Sequence, residues 1–228
     1  MDKVIMRWDS VVVNGAGWRR VPTRQAVAAL YGWACERLYH ELAGQYDIAA
    51  WLVSAGRWQR WQRMAWDAVR GPRVLELGSG TGRLLADGQA KGLEMVGLDA
   101  SPEMVALTWR RYGSGVICVR GDGRQLPFAD SAFDTVVATF PAGYVLGDAT
   151  LGEARRVLAS AGRLVLLGLW AHVDLGGAEK LASVFYDKPG QDALDRLQVK
   201  VAQAGFAVTL RAWRDGRVTV GGLVAEVR

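Results

Sequence analysis

Residues 74–84 read Val-Leu-Glu-Leu-Gly-Ser-Gly-Thr-Gly-Arg-Leu. A short apolar run enters three glycines at alternate positions and leaves into a helix-forming stretch. Glycine tolerates positive φ and lets a bound molecule come close to the backbone. The helix that follows offers free N–H groups at its first turn. In an open α/β sheet, such a turn puts a ligand outside the carboxyl ends of the strands, at the switch point of strand order.

The spacing narrows the ligand. A dinucleotide fingerprint has glycine at its first, third and sixth positions. The sixth position from Gly78 is Arg83, so that pattern fails, and no Gly-Lys-Ser/Thr phosphate loop is present. Glu76 stands two residues ahead of Gly78. An acid there repels a pyrophosphate and favours a ligand with an ammonium end. Asp99 closes the next apolar run, 21 residues after Gly78, where an acid suits ribose hydroxyls. Asp122 follows the third run in Gly121-Asp122-Gly123, with Leu126-Pro127-Phe128 behind it. It suits an exocyclic amine, and its apolar neighbours suit the faces of a flat base. A glycine loop alone is often only a tight turn. Three acids at three successive strand ends instead describe an amino-acid end, a ribose and an adenine.

The rest of the second part has strand-helix alternation. Apolar runs at 74–77, 95–99, 116–119, 135–140 and 164–169 read as strands covered on both faces. Helical stretches are expected near 81–91, 101–112 and 148–159. Alternation of this kind predicts right-handed βαβ units in an open, doubly wound sheet. Two further runs, 206–210 and 218–220, flank Arg214-Asp215-Gly216-Arg217, whose Asp-Gly predicts a closing antiparallel hairpin. The expected fold is therefore α/β and Rossmann-like, with a seven-stranded, mostly parallel sheet whose last strand is antiparallel. Asp134 is expected to shape a turn at a strand start, and Cys118 to be buried within the third strand.

Residues 1–70 differ and are expected to form an N-terminal helical extension or lid on a ligand-binding domain of residues 71–228. Thr23 would cap a helix with Leu30, Ala34, Leu38 and Leu42 on one face. A second helix, about Ser54 to Val69, would carry Trp58, Trp61, Ala65 and Ala68 on one stripe. Arg60, Arg63, Asp67 and Arg70 would lie on the other side. The chain has ten tryptophans, and eight of them (Trp8, Trp18, Trp33, Trp51, Trp58, Trp61, Trp66, Trp109) crowd its first half. A Trp/Arg helix serves either as a lid packed over the site or as a contact with an anionic membrane.

Composition excludes several classes. No apolar run reaches the ~18 residues of a transmembrane helix, and the N-terminus lacks the apolar core of a secretory signal. Two cysteines, Cys35 and Cys118, are too few for a disulfide scaffold or a metal cluster; no metal is expected. They suit a reducing cytoplasm. A net charge of +5 permits an anionic partner without demanding nucleic acid.

With these motifs assembled, the chain resembles the class I S-adenosylmethionine-dependent methyltransferases, in the branch of small-molecule and quinone-type enzymes. The resemblance rests on Glu76-Leu77-Gly78-Ser79-Gly80-Thr81-Gly82, Gly97-Leu98-Asp99-Ala100-Ser101-Pro102-Glu103-Met104 and Gly121 through Phe128. It continues in Phe133-Asp134-Thr135-Val136-Val137 and Glu153 through Leu158. It spans roughly 46–228. Before the fifth strand, Ser160-Ala161-Gly162 departs mildly from the family's Pro-Gly-Gly.

The resemblance implies S-adenosylmethionine as cofactor. Gly78 and Gly80 would approach its methionine part, flanked by Ser79, Thr81 and Gly82, and Glu76 would serve the same end. Asp99, followed by Ala100, would bind ribose. Met104 would pack on adenine, although such a methionine taken alone reads as core. Asp122 and Gly123 would address the adenine edge, and Tyr46 would cover the methionine end. Phe140 would close the cofactor side and, with Tyr144, wall a substrate pocket.

Methyl transfer from a sulfonium is a displacement in which the protein supplies alignment and excludes water. A hydroxyl or carbon acceptor needs deprotonation, and only His40 and His172 have pKa values suited to it near neutrality. His172 is the expected catalytic residue. Trp33, His40 and Tyr144 are expected on the substrate side.

Phe140-Pro141-Ala142-Gly143-Tyr144 lacks the Asn/Asp-Pro-Pro-aromatic of amino-methylating nucleic-acid enzymes, and no Pro-Cys nucleophile occurs. Nucleic acid is therefore not an expected partner. The expectation is methylation of N, O or C on a small or amphipathic acceptor, in the cytoplasm or peripheral to the inner face of the membrane. Alternatives are a membrane-associated lipid or quinone methyltransferase and a non-catalytic S-adenosylmethionine-binding subunit.

Overall fold

The structure is a computed structural model and describes Ser54, residues 56–173 and residues 189–228. Five strands run parallel: β1 (Arg73–Leu77), β2 (Glu94–Asp99), β3 (Ile117–Arg120), β4 (Phe133–Thr139) and β5 (Leu158–Val173). Two more, β6 (Phe206–Asp215) and β7 (Val218–Val227), form the closing hairpin. The order across the sheet is β3-β2-β1-β4-β5-β7-β6, with β7 antiparallel to both of its neighbours. This is the sheet expected from the sequence. The reversal of order on either side of β1 and β4 opens the crevice that the glycine loop occupies.

Helices α1 (Trp58–Arg63), α2 (Arg83–Ala90), α3 (Pro102–Tyr112), α4 (Asp148–Val157) and α5 (Gln191–Gln203) cover the sheet. α3 starts where Ser101 accepts from the Met104 backbone N–H and Pro102 fills the first helical position. Its basic residues Arg110 and Arg111 lie in the last turn, matching the helix dipole.

Two buried clusters lie on the two faces of the sheet. One gathers Leu151, Ala154, Val157 and Val201 from α4 and α5. The other gathers Leu85, Val105 and Trp61 from α2, α3 and α1.

Three expectations need revision. The helix expected from Ser54 to Val69 is shorter: α1 ends at Arg63, and Met64–Ala68 continue as a 3-10 turn. That geometry eclipses side chains three apart, so Ala65 and Ala68 bury together against the sheet. The inward stripe itself is present, with Trp61, Ala65 and Ala68 buried and Arg60 and Arg63 exposed. β5 is far longer than its apolar run, because its second half pairs with β7 beyond a bulge between Leu167 and Trp170. α5 has no counterpart among the expected helices.

Among the described residues no helix is long and apolar enough to cross a membrane. The expected 23–42 helix lies outside the described residues.

Candidate functional site

β1 ends in Leu77, and the loop behind it holds Gly78, Gly80 and Gly82 at φ 69°, 52° and 74°. These left-handed values are why glycine recurs here. The three glycines do different jobs. A Cβ on Gly82 would meet the Thr108 side chain at 2.5 Å, so Gly82 seats the loop against α3. Thr108 donates to the Gly80 carbonyl. A Cβ on Gly80 would meet nothing within 4 Å, so this glycine faces open space at the rim. Ser79 and Thr81 are buried, and the Ser79 hydroxyl lies 3.4 Å from Cys118 Sγ beneath the loop. Ser79 therefore supports the loop from below. Cys118 is buried, as expected, and its thiol is pushed up by burial.

Asp99 organises the same rim. Its Oδ2 accepts from Gly80 N–H at 2.8 Å and its Oδ1 from Ser101 N–H at 2.9 Å. A carboxylate offers about four acceptor positions, so two remain for a ligand. Burial raises its pKa, against the two backbone N–H groups that favour the charged form.

Glu76 is 1% exposed. Burial lifts its carboxyl well above the usual range, the charge of Asp99 adds to this, and the Leu85 backbone N–H opposes it. Its Oε2 is buried without a hydrogen-bond partner. Orphaned buried acceptors are rare, and in a cleft they point to a missing donor.

On the far side, Ala100 is exposed at the rim, and Gly123 is buried. The Asp122 carboxylate is not free for an exocyclic amine. Arg124 takes both of its oxygens, at 2.6–3.0 Å, and holds its carboxyl below the usual range. Met104 is fully buried and serves as core packing in this conformation. Tyr144 bridges the two loops: its hydroxyl lies 3.6 Å from the Cβ position of Gly78, and its ring lies 2.9 Å from that of Gly123.

The wall after β4 is aromatic. Phe140 holds φ 49°, uncommon for a bulky residue, and its N–H donates to Leu167 O at 2.6 Å. Its ring stacks on Trp58 at 4.1 Å, with Trp61 at 6.3 Å. A Cβ on Gly168 would lie 2.4 Å from that ring. Gln62 donates to Thr139 beside it.

His172 is exposed near the end of β5 and pairs with Thr219. It lies within the strand, not just past a short one. Trp58 belongs to the Trp/Arg helix that the sequence offered as a lid, but its stack on Phe140 was not foreseen, nor was the pairing of Arg124 with Asp122. Tyr46, Trp33 and His40 lie outside the described residues. Among the described residues no group of three or more His, Cys, Asp or Glu is placed to hold a metal.

Residues 75–166 match the model of a methyltransferase domain. A demethylmenaquinone methyltransferase of Renibacterium salmoninarum is 35% identical over 183 residues, covering 78% of this chain and 76% of the relative. Another, from Thermus thermophilus, is 39% identical over 139 residues, covering 57% of this chain and 63% of the relative. Two further relatives of that description are matched over 60% and 55% of their lengths, so the chain spans about three-fifths of these proteins.

Among solved structures, an S-adenosylmethionine-dependent methyltransferase of Thermotoga maritima superposes with a TM-score of 0.55 at 20% identity. The match covers 84% of this chain and 99% of that one, and bears on the fold alone.

The residues present fit a cationic nucleoside. The unpartnered Glu76 Oε2 suits an ammonium donor, the remaining positions of Asp99 suit a diol, and Gly80 leaves the approach open.

Proposed function

Because the chain belongs to the class I S-adenosylmethionine-dependent methyltransferases, in the branch that contains the demethylmenaquinone methyltransferases, we propose that it methylates a flat acceptor of the quinol type. The observation that carries this reading is the buried, unpartnered Glu76 Oε2 beside Asp99 at the mouth of the glycine loop. Glu76 and Asp99 would hold the cofactor, with the Gly78–Gly80 backbone beneath it. When bound, S-adenosylmethionine supplies a methyl group on a positively charged sulfur.

The chain's own residues do the rest. Phe140 and Trp58 present an apolar face that excludes water and aligns a ring. Tyr144, reaching to Gly78, stands between the cofactor rim and that wall. A quinol carbon becomes nucleophilic when its neighbouring hydroxyl loses a proton, and His172 is the described histidine at this edge suited to take it. Residues 1–70, through α1, would cover the site. The acceptor would be a small or lipid-like molecule met on the cytoplasmic side.

Transfer of tritium from labelled S-adenosylmethionine to a short-chain demethylated menaquinol tests the reading. Label in the quinol extract supports it. Binding of the cofactor with no transfer to any quinol, amine or phenol offered would leave a non-catalytic binder and overturn it.

A further inference from the structure

Asp99 and Asp122 stand at neighbouring strand ends, since Asp99 is in register with Arg120 and the Gly121 N–H donates to the Asp99 carbonyl at 3.0 Å. The two acids are not equally open. Asp99 keeps about half of its acceptor positions for a ligand. Asp122 keeps none. The Arg124 backbone N–H and Nε donate to its Oδ1, each at 2.9 Å, and Nε and Nη2 donate to its Oδ2 at 3.0 Å and 2.6 Å. These bonds fill the roughly four positions that a carboxylate offers. Three of them come from one guanidinium.

The pair belongs to the site mouth. Gly123, between the two residues, is buried, and a Cβ there would lie 2.9 Å from the Tyr144 ring, whose hydroxyl reaches on to Gly78. Tyr144 in turn acts electrostatically on the Arg124 cation. The Arg124 side chain is 59% exposed and that of Asp122 46%, so water screens the pair and it can exchange. An exocyclic amine is a donor. A filled carboxylate accepts from it only by giving up a guanidinium bond.

We propose that Arg124 is a positioning residue that competes with the base of the cofactor for Asp122, and so holds down the affinity of the site for substrate and product alike. Methyl transfer changes the sulfur and leaves the base untouched. S-adenosylmethionine and S-adenosylhomocysteine therefore present the same amine to Asp122. A penalty at the base end falls equally on both. Uniform weakening of this kind shortens the stay of the product without altering the reacting end. The inference rests on S-adenosylmethionine as cofactor and is independent of the quinol as acceptor.

Titration calorimetry on the full chain tests it, with no acceptor present. The ligands are S-adenosylmethionine, S-adenosylhomocysteine and S-inosylhomocysteine, whose base carries a carbonyl in place of the amine. Arg124→Ala should bind the first two about twofold to fivefold more tightly than wild type, the span of an exposed ion pair. Arg124→Lys should fall between wild type and Arg124→Ala, because an ammonium cannot fork onto both oxygens. Neither variant should gain affinity for S-inosylhomocysteine, which presents an acceptor where the amine stood. In an Asp122→Asn background the gain from Arg124→Ala should vanish, which separates competition from a general change in the loop. Labelled S-adenosylhomocysteine, chased with unlabelled ligand, should leave Arg124→Ala more slowly than wild type. Wild type that binds no S-adenosylmethionine overturns the cofactor reading together with the inference. Binding by wild type with equal or weaker binding by Arg124→Ala overturns the inference alone, as does a gain that persists beside Asp122→Asn.

Discussion

Glu76 and Asp99 stand near the ends of adjacent parallel strands as two buried carboxylates, and neither forms an ion pair among the described residues. Folding two acids into one rim without a cation is unfavourable. The rim is therefore built for a ligand at the expense of the ligand-free state, a trade common at functional sites.

Glu76→Gln should separate stability from binding. The Glu76 carboxyl titrates well above its ordinary 4.5 in the folded chain. Between those two values the folded state binds more protons than the unfolded one, so this contribution is full below 4.5 and is lost as pH rises through the folded value. Urea unfolding of the ligand-free protein from pH 5 to 8 should show wild type losing stability relative to Glu76→Gln. The variant should nonetheless bind S-adenosylmethionine at least about tenfold more weakly, since it loses a charged acceptor. Parallel pH curves for the two proteins would remove Glu76 from this role.

Asp99→Ala should weaken cofactor affinity by about tenfold to a hundredfold, the range for hydrogen bonds to a charged group. The loss has two parts: the acceptor for a diol disappears, and the Gly80 and Ser101 N–H groups lose their anchor. Titration calorimetry on a variant with native circular dichroism measures it. Unchanged affinity contradicts the assignment.

Gly168→Ala tests the aromatic wall. Gly168 has φ 84°, and its new methyl would press on the Phe140 ring. Strain and overpacking together should lower stability by about 2 kcal/mol. Trp58→Ala removes the stacked partner without that strain. Both should raise KM for the quinol while leaving cofactor affinity near wild type; a change in the opposite sense would place Phe140 on the cofactor instead.

Asp134→Ala supplies a stability control away from the rim. Asp134 accepts from the Arg73 backbone N–H and guanidinium, and the Arg73 bond holds its carboxyl below the usual 3.8. Its contribution is present above 3.8 and is lost as pH falls through the folded value. The pair is partly exposed, so the expected cost at neutral pH is about 1–2 kcal/mol, measured by urea unfolding. Cofactor affinity should not move.

The glycine loop, the placing of Asp99 at a strand end and the parallel strands were legible because parallel strands buried on both faces are continuous apolar runs, and because Gly78 and Gly80 need left-handed backbone. Cys118 and Asp134 were legible for the same reason: strand interior and strand start are local properties. α5 was not, since only Leu194 and Val201 are buried and its apolar stripe is thin. The length of β5 depends on Gly222, where a Cβ would strike the Leu166 carbonyl at 1.9 Å, a constraint set across strands. The Trp58–Phe140 stack and the Arg60–Asp215 bridge join distant segments and leave no local mark. Arg124 beside Asp122 was visible, but nothing in the spacing said which partner the carboxylate would take.

Titration of the full chain with S-adenosylmethionine and, separately, with NADH most directly tests whether this rim receives a cationic nucleoside. Expected is saturable binding of S-adenosylmethionine at one site per chain, and no heat from NADH. Saturable binding of NADH, with none of S-adenosylmethionine, contradicts it.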